Sequence, residues 1–501
     1  MGETVRTRAR RSAVLSLVYA IAPSLAVSCG EDGRPAGGHD PDGGAGRPDG
    51  SAGAASGASG SAGVGAASGA SGSAGVGAAS DASGGAAITD AVSDTGSVDG
   101  RAGSGGASDS GSDSGGSAGT DAGVVPEDAP IFDFRRRPNL AVSYQIDPAH
   151  SGAQPDGKFV PPLTQRWSYS FDGAVSYPLI VDGRVFVTAQ GEGNLETKLY
   201  ALDAESGRLL WQSEAIGGQF ESHDVNPAYD RGKVFVASDG GELFAFDAAS
   251  GVVAWKIQLP EVYAFTTLPL AAGGVVFITG AVNSGEPLFA IDGSTGRVLY
   301  DAESIGGRPL TLGESTLFNG AGCYETDALD ARSGTQLWHF KTGCSGGGSQ
   351  PTTYHRGQLF VPESVISVLD AVTGAQRRFM LNGFWAPACD GDTGFLVVGS
   401  ELSGVDLRDA RMRWKLSLGE SAAYDHHPAM PPLVVNGFVY VVTFSGKLSA
   451  VAAATGKVFW SEQVAPKDLG WVDSGGAPMR AMGAGEERLI VPFQRRIYAY
   501  F

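Results

Sequence analysis

Histidine beside carboxylate is the most chemically capable pairing in this sequence, and it occurs twice, each time just ahead of a proline. The two stretches are His223-Asp224-Val225-Asn226-Pro227 and Tyr424-Asp425-His426-His427-Pro428. Imidazole and carboxylate together can hold Zn²⁺ or another divalent ion, which makes His223, His426 and His427 metal candidates. The same side chains also serve as loop hydrogen-bonders around a solvated opening, and both readings stay open at this point. Tyr177, Arg308, Gln350, Trp385 and Asp473 also lie shortly ahead of prolines. With Asp224, Asn226 and Asp425 they form a set of polar and aromatic residues that could contact a ligand or a partner. No Gly-Lys-Ser/Thr phosphate loop and no His-Glu-x-x-His helix is present.

What would bring such scattered residues together is a repeat. An Asp, a Gly four residues on and an aromatic eight residues on recur as Asp203-Gly207-Trp211, Asp247-Gly251-Trp255, Asp292-Gly296-Tyr300 and Asp330-Gly334-Trp338. Three looser copies follow, Asp370-Gly374-Arg378, Asp406-Ala410-Trp414 and Ala452-Gly456-Trp460. Successive anchors stand 36 to 46 residues apart, the length of a four-stranded propeller blade. Asp and Gly close a tight turn, because the carboxylate bonds nearby backbone and glycine accepts positive φ. The Trp lies on the following outer strand, where its apolar face can wedge between blades. In phase with these anchors run Pro178 with VDGRVFV, Pro227 with DRGKVFV, Pro269 with GGVVFI and Pro351 with RGQLFV. Their alternation is strand-like, and proline at a strand's first residue forfeits no ladder bond.

The two ends of the array complete one another. The chain stops after Arg488-Leu489-Ile490-Val491 and Ile497-Tyr498-Ala499-Tyr500-Phe501, which read as inner strands with no Trp strand after them. Trp167, in QRWSYSF, is an outer strand with no inner strands before it. Seven whole copies plus this composite predict an all-β, eight-bladed β-propeller of four-stranded antiparallel blades over 161–501, closed by N- and C-terminal strands sharing one blade. Trp167, Trp211, Trp255, Trp338, Trp414 and Trp460 are its expected blade-docking residues. The residues ahead of each proline would then converge on one rim. Cys323, in a turn between the second and third strands, and Cys344, after the fourth, would open to one face, so they are a disulfide candidate in an oxidising compartment. Cys344 with Cys389 is the alternative pairing, and unpaired buried thiols are the third reading.

The N-terminus is expected to be an export signal over 1–28. Arg6, Arg8, Arg10 and Arg11 precede an apolar stretch, Ala13 to Val27, too short to span a bilayer. It ends in Leu25-Ala26-Val27-Ser28-Cys29, which resembles a bacterial lipobox with Cys29 as the acylated residue. Gly30, rather than Asp, follows the cysteine, which by resemblance to sorted lipoproteins favours the outer membrane. From 29 to 125 the chain is Gly, Ala, Ser and Asp, with ASGASGSAGVGA repeated unchanged at Ala55–Ala66 and Ala67–Ala78. Such a segment cannot bury enough apolar area to offset its chain entropy, so a disordered linker is predicted, with a span of roughly 50–60 Å. A lead-in segment, 126–160, joins it to the propeller. The net charge of −18, with no basic stripe, argues against nucleic-acid binding.

YALDAESGRLLW, FAFDAASGVVAW and VAAATGKVFW resemble the PQQ-like repeat β-propeller family. That resemblance implies one of two classes. In the quinoprotein alcohol dehydrogenases, PQQ and Ca²⁺ occupy the central mouth beside a vicinal Cys-Cys pair. The other class is cofactor-free and includes a lipoprotein subunit of the outer-membrane β-barrel assembly machinery. Cys323, Cys344 and Cys389 are far apart in sequence, and no spacing assigns a Ca²⁺ set or a catalytic base. The expectation is therefore a tethered extracytoplasmic binding or scaffold module with no cofactor and no catalysis, serving an envelope protein or small ligand at its rim. A PQQ/Ca-dependent dehydrogenase and a glycan- or surface-recognition module are the alternatives.

Overall fold

A computed structural model describes residues 131–501 except 192–195, 218–224, 239, 266, 308, 322–324, 342–350, 363–364, 384, 420–428 and 465–479. The expected signal (1–28), Cys29 and the linker (29–125) lie outside the described residues. The described chain folds into eight antiparallel sheets. Blade one shows the pattern, with Leu179–Val181 innermost, then Arg184–Gln190, Thr197–Asp203 and Leu209–Gln212 outermost. Burial falls along that order: the inner strand is wholly buried and the outer one is not. The outer strands of blades two to seven are Val253–Gln258, Val298–Ala302, Gln336–Phe340, Gln376–Leu381, Met412–Ser417 and Val458–Gln463. Blade eight takes Gly483–Gly485, Arg488–Phe493 and Arg496–Tyr500 from the end of the chain and Gln165–Ser170 from its beginning. Trp167 pairs with Ala499, so the two ends of the repeat array share one sheet and the ring closes without a free seam.

Each repeated anchor has a visible job. Asp203 Oδ1 accepts hydrogen bonds from the Ser206 amide (2.8 Å) and hydroxyl (2.6 Å), and Asp247 does the same with Ser250. These bonds to the charged form pull both carboxyls below the usual range. The Trp of one blade then reaches the Asp–Gly turn of the next. Trp167 Nε1 donates to Ala204 O (3.0 Å), Trp211 to Ala248 O (3.3 Å) and Trp255 to Gly293 O (3.0 Å). Trp338 donates to Ala371 O (3.1 Å) and Trp414 to Ala453 O (2.7 Å), while Tyr300 makes the same bond through its hydroxyl to Ala331 O (2.7 Å). The ring lies flat on the turn glycine. A methyl added to Gly374 would come within 2.7 Å of Trp338 Cδ2, so glycine is needed there for space as well as for its φ of 71°. Trp460 instead meets Tyr500 of blade eight edge-on at 6.1 Å.

The lead-in segment does something the repeat pattern does not announce. It enters the central channel from the face of the first-to-second strand turns and ties to the innermost strand, or its turn, in every blade. Ala141 bridges Ile180 of blade one, Val142 O accepts from Tyr229 N of blade two, and Phe132 N donates to Gly273 O of blade three. Pro148 O, Ala149 O, Ser151 O and Gly152 O accept from Leu312, Tyr354, Cys389 and Val434 of blades four to seven. Asn139 O accepts from Glu486 N in blade eight. Ala153–Gln154 adds a parallel fifth strand against Leu433–Val435. Gln154, fully buried, donates through Nε2 to Leu140 O and Ala484 O, both 3.0 Å, and accepts from Arg136 at 2.8 Å.

Candidate functional site

The lead-in divides the channel into the half it occupies and a mouth. On the lead-in side a cavity of about 470 Å³, open to solvent, remains between the lead-in and the adjoining blades. Its charged groups are largely matched internally. Arg137 Nη2 donates to Asp230 Oδ1 (3.0 Å), and the Gly274 amide donates to Asp230 Oδ2 (2.6 Å). Asp147 accepts from Ser151 Oγ (2.6 Å) and from the amides of Ala149 and Ser151. Burial pushes both carboxyls upward even so, because desolvation of the charge outweighs these partners. These pairs hold the lead-in in place, and a buried pair broken on one side leaves an uncompensated charge.

Towards the axis, Tyr144 projects from a tight turn in which Gln145 and Ile146 hold positive φ of 51° and 84°. For a β-branched residue that backbone costs on the order of 1–3 kcal/mol, and complete burial of the Ile146 side chain offsets a similar amount. Tyr144 meets His150 edge-on at 5.3 Å and Tyr177 at 5.6 Å. His150 Nδ1–H donates to Thr352 O at 3.1 Å, and Thr311 Oγ1 lies 3.2 Å from the same nitrogen. Burial drives the imidazole pKa down to about 4, so this histidine is neutral across the physiological range. Tyr177 donates to Pro227 O at 2.8 Å, which ties blade one to blade two at the start of the inner strand.

On the mouth side the described walls carry hydroxyl and amide groups, and Arg480 stands just ahead of the inner strand of blade eight. Ser176 and Thr267 each receive the amide of a second-strand threonine, Thr188 and Thr279, at 3.0 Å. Asn226 is fully buried there, and neither its Oδ1 nor its Nδ2 has a partner. A buried amide with both ends unsatisfied costs about 1–3 kcal/mol, so this position calls for a hydrogen-bonding guest or ordered water.

Of the residues expected at the rim, Tyr177 and Asn226 are buried in the channel wall and Trp385 is half-buried. His223, Asp224, Arg308, Gln350, Asp425, His426, His427 and Asp473 lie outside the described residues, as do Cys323 and Cys344. Cys389 is a buried free thiol. Its Sγ–H points at Pro387 O, 3.5 Å away, and burial pushes the thiol well above its usual pKa. Sequence reasoning placed Tyr144, Asp147, His150 and Gln154 in the lead-in segment but gave them no role in the channel. A usable signal was present in Leu140-Ala141-Val142-Ser143-Tyr144-Gln145-Ile146, whose apolar residues alternate as in a buried extended segment.

Comparison with known proteins agrees with this architecture. The family model described as "Outer membrane protein assembly factor BamB" matches residues 164–222, 196–318 and 325–500. The chain is 30% identical over 156 residues to the quinohemoprotein alcohol dehydrogenase ADH-IIG of Pseudomonas putida, which covers 28% of this chain and 20% of that protein. It is 24% identical over 264 residues to the outer membrane protein assembly factor BamB of Moranella endobia, covering 50% of this chain and 59% of that protein. The solved quinohemoprotein alcohol dehydrogenase from Comamonas testosteroni shares the fold, with a TM-score of 0.57 at 15% identity over 74% of this chain and 81% of that one. The chain thus spans between a fifth and three fifths of the length of these two curated relatives. It belongs to the PQQ-like repeat β-propeller family whose model carries the BamB description.

Proposed function

We propose that this member of the PQQ-like repeat family is an exported, lipid-anchored binding and scaffold propeller of the cell envelope, which works without catalysis. The observation that carries the reading is the lead-in segment. It fills the channel from one face and bonds to all eight blades, leaving a blind well whose described walls include the hydroxyls of Ser176 and Thr267 and the unsatisfied amide of Asn226. A well of that kind suits a polar ligand or a peptide loop from an envelope protein. The assembly-factor description of the matching family model supports a partner in outer-membrane protein assembly. The acylated Cys29 and the linker would hold the propeller near the outer membrane.

A dehydrogenase is the second reading, favoured by the quinohemoprotein relatives and by unsatisfied Asn226, an amide of the kind that can ligate Ca²⁺. The described residues fit that cofactor pair poorly. The chain's own Tyr144, His150 and Tyr177 occupy the channel interior. Among the described residues no three His, Cys, Asp or Glu side chains converge on one point. Thermal titration of the purified chain with PQQ and Ca²⁺ separates the two. Saturation to about 100 times Kd adds roughly 2.7 kcal/mol. The scaffold reading expects no saturable rise in Tm. A saturable rise with dye-linked oxidation of an alcohol overturns it. For the anchor, Cys29→Ser is expected to move the protein from the membrane fraction to the soluble one.

A further inference from the structure

We propose that the turns of blade seven on the lead-in face, with residues 158–160 beside them, form a contact for the headgroup layer of a phospholipid bilayer. The proposal rests on the anchored reading for its membrane and goes beyond it by giving the propeller a contact of its own. It is tested without the anchor, so that the two can fail separately.

Blade seven departs from the other blades in chemistry rather than in shape. The others each carry a carboxylate in the turns of this face: Asp203, Asp247, Asp292, Asp330, Asp370 and Asp406 in blades one to six, and Glu486 with Glu487 in blade eight. In blade seven Ala452 takes the place of the anchor Asp, and the two turn segments read LVVNGF and AAATGKVFW, without an acid. The turn still closes, because Gly456 N donates to Ala452 O at 2.8 Å, as Gly207 N does to Asp203 O in blade one. The lead-in runs alongside. Asn436 Nδ2 donates to Lys158 O at 2.9 Å, and the Phe159 ring meets Tyr440 at 5.7 Å. Phe159 and Phe438 both rest half-buried on the core between blades seven and eight. Phe438 in turn holds Phe459 of the outer strand edge-on at 5.3 Å.

The result is an apolar edge with cations and no free acid. Phe459, Val458 and Val160 are 59%, 47% and 53% exposed. Lys158 and Lys457 are exposed beside them and make no ion pair among the described residues. Glu487, the carboxylate at this edge, is engaged by the Lys158 amide (2.8 Å) and by Asn139 Nδ2 (3.0 Å), and Asp156 pairs with Arg136. Size and charge select the occupant. A stable protein interface buries about 800 Å² on each side, more than three side chains and the edges of two rings offer. A bilayer needs no matching surface. Single aromatic and aliphatic side chains enter its headgroup layer, and lysine stems lie along it with their ammonium groups at the phosphates. The net charge of −18 opposes approach to anionic lipid beyond a Debye length of about 8 Å, so the apolar side chains carry the contact and the lysines assist it. The face fits as well. Phe132, near the start of the described chain, donates to Gly273 O in a first-to-second strand turn, so the chain enters the propeller on the side that carries this edge.

The test uses the full chain carrying Cys29→Ser, which cannot be acylated at that residue, and vesicles of phosphatidylethanolamine with phosphatidylglycerol, separated by flotation. The expected result is saturable binding that Val458→Ser with Phe459→Ser weakens about tenfold or more. Lys158→Glu with Lys457→Glu, a change confined to exposed side chains, should weaken it several-fold. Val372→Ser is the control. It removes a solitary side chain, 80% exposed, from the blade-five turn on the same face, and should change binding by less than about twofold. No binding by the Cys29→Ser chain, binding that both double variants retain, or an equal loss with Val372→Ser overturns the proposal. Self-association that rises with protein concentration and is abolished by Phe459→Ser assigns the edge to a second copy and overturns it as well. Acylation of Cys29 is read separately, by fatty-acid labelling of the unmutated chain, so a failed anchor and a failed contact give different results.

Discussion

Two neighbouring seams of the same ring show what the repeat motif is for. Between blades four and five, Trp338 lies on Gly374 and bonds Ala371 O. Between blades five and six the ring and the glycine are both absent, Leu407 closes only the inner part, and a groove runs along the outside. The strands and their register are otherwise alike. Blade stacking therefore depends on inner packing, and the Trp latch decides whether the outer surface between blades is sealed or available. A propeller can lose one latch, keep its ring, and gain a recessed surface.

That contrast predicts a graded set of outcomes. Trp338→Ala should be the most damaging, because it removes a large ring and leaves its seat empty, at about 3–5 kcal/mol in denaturant titration. A value below about 1 kcal/mol would erase the distinction between the two seams. The lead-in offers a control with a different pH signature. His150 takes a proton at pH about 4 in the fold, against 6.5 when unfolded. Between those values the unfolded chain binds a proton the folded one refuses, so His150 lowers stability as pH falls from about 6.5 to 4. Asp147 and Asp230, raised by burial, act with the opposite sign and are common to wild type and variant. His150→Gln should flatten the difference between pH 7 and pH 4.5 by up to about 3 kcal/mol, while the cost of Trp338→Ala stays constant with pH.

Gly374→Ala should cost roughly 1–2 kcal/mol, since a side chain at φ 71° is strained and its methyl meets the indole at 2.7 Å. Rebuilding the latch with Arg378→Trp and Ala410→Gly should give favourable coupling of about 1 kcal/mol in a double-mutant cycle. Arg378→Trp alone gains less, because the Ala410 methyl holds the ring off the turn. Ala410→Gly alone should change stability by no more than about 0.5 kcal/mol, as relief at positive φ is offset by the freer unfolded chain. Equal effects of Gly374→Ala and Ala410→Gly would show that the glycine serves only its backbone angle.

Much of this molecule was legible in one dimension. The anchor spacing predicted the blades, and the unmatched ends, Trp167 and Ile497–Tyr500, predicted the shared blade that closes the ring. The Asp, Gly and Trp roles followed from turn chemistry and ring size. The broken seam was visible as Arg378 and Ala410, but its consequence was not, because the groove depends on Ser403 and Leu407, which the motif does not include. For the rim, the prolines located Tyr177 and Asn226 at the starts of inner strands, yet not their depth. Tyr177 is buried where Tyr144 of the lead-in meets it.

The sequence by itself determined the repeat, its number and the sharing of one blade, since those depend on local turn chemistry and strand alternation that recur at a fixed period. Only the tertiary structure decided what fills the channel and what a seam leaves open. Tyr144, His150 and Gln154 act on strands up to 330 residues away, as in the bond from Gln154 to Ala484. No local pattern encodes such a contact, because it is created by closing the ring around the segment that makes it.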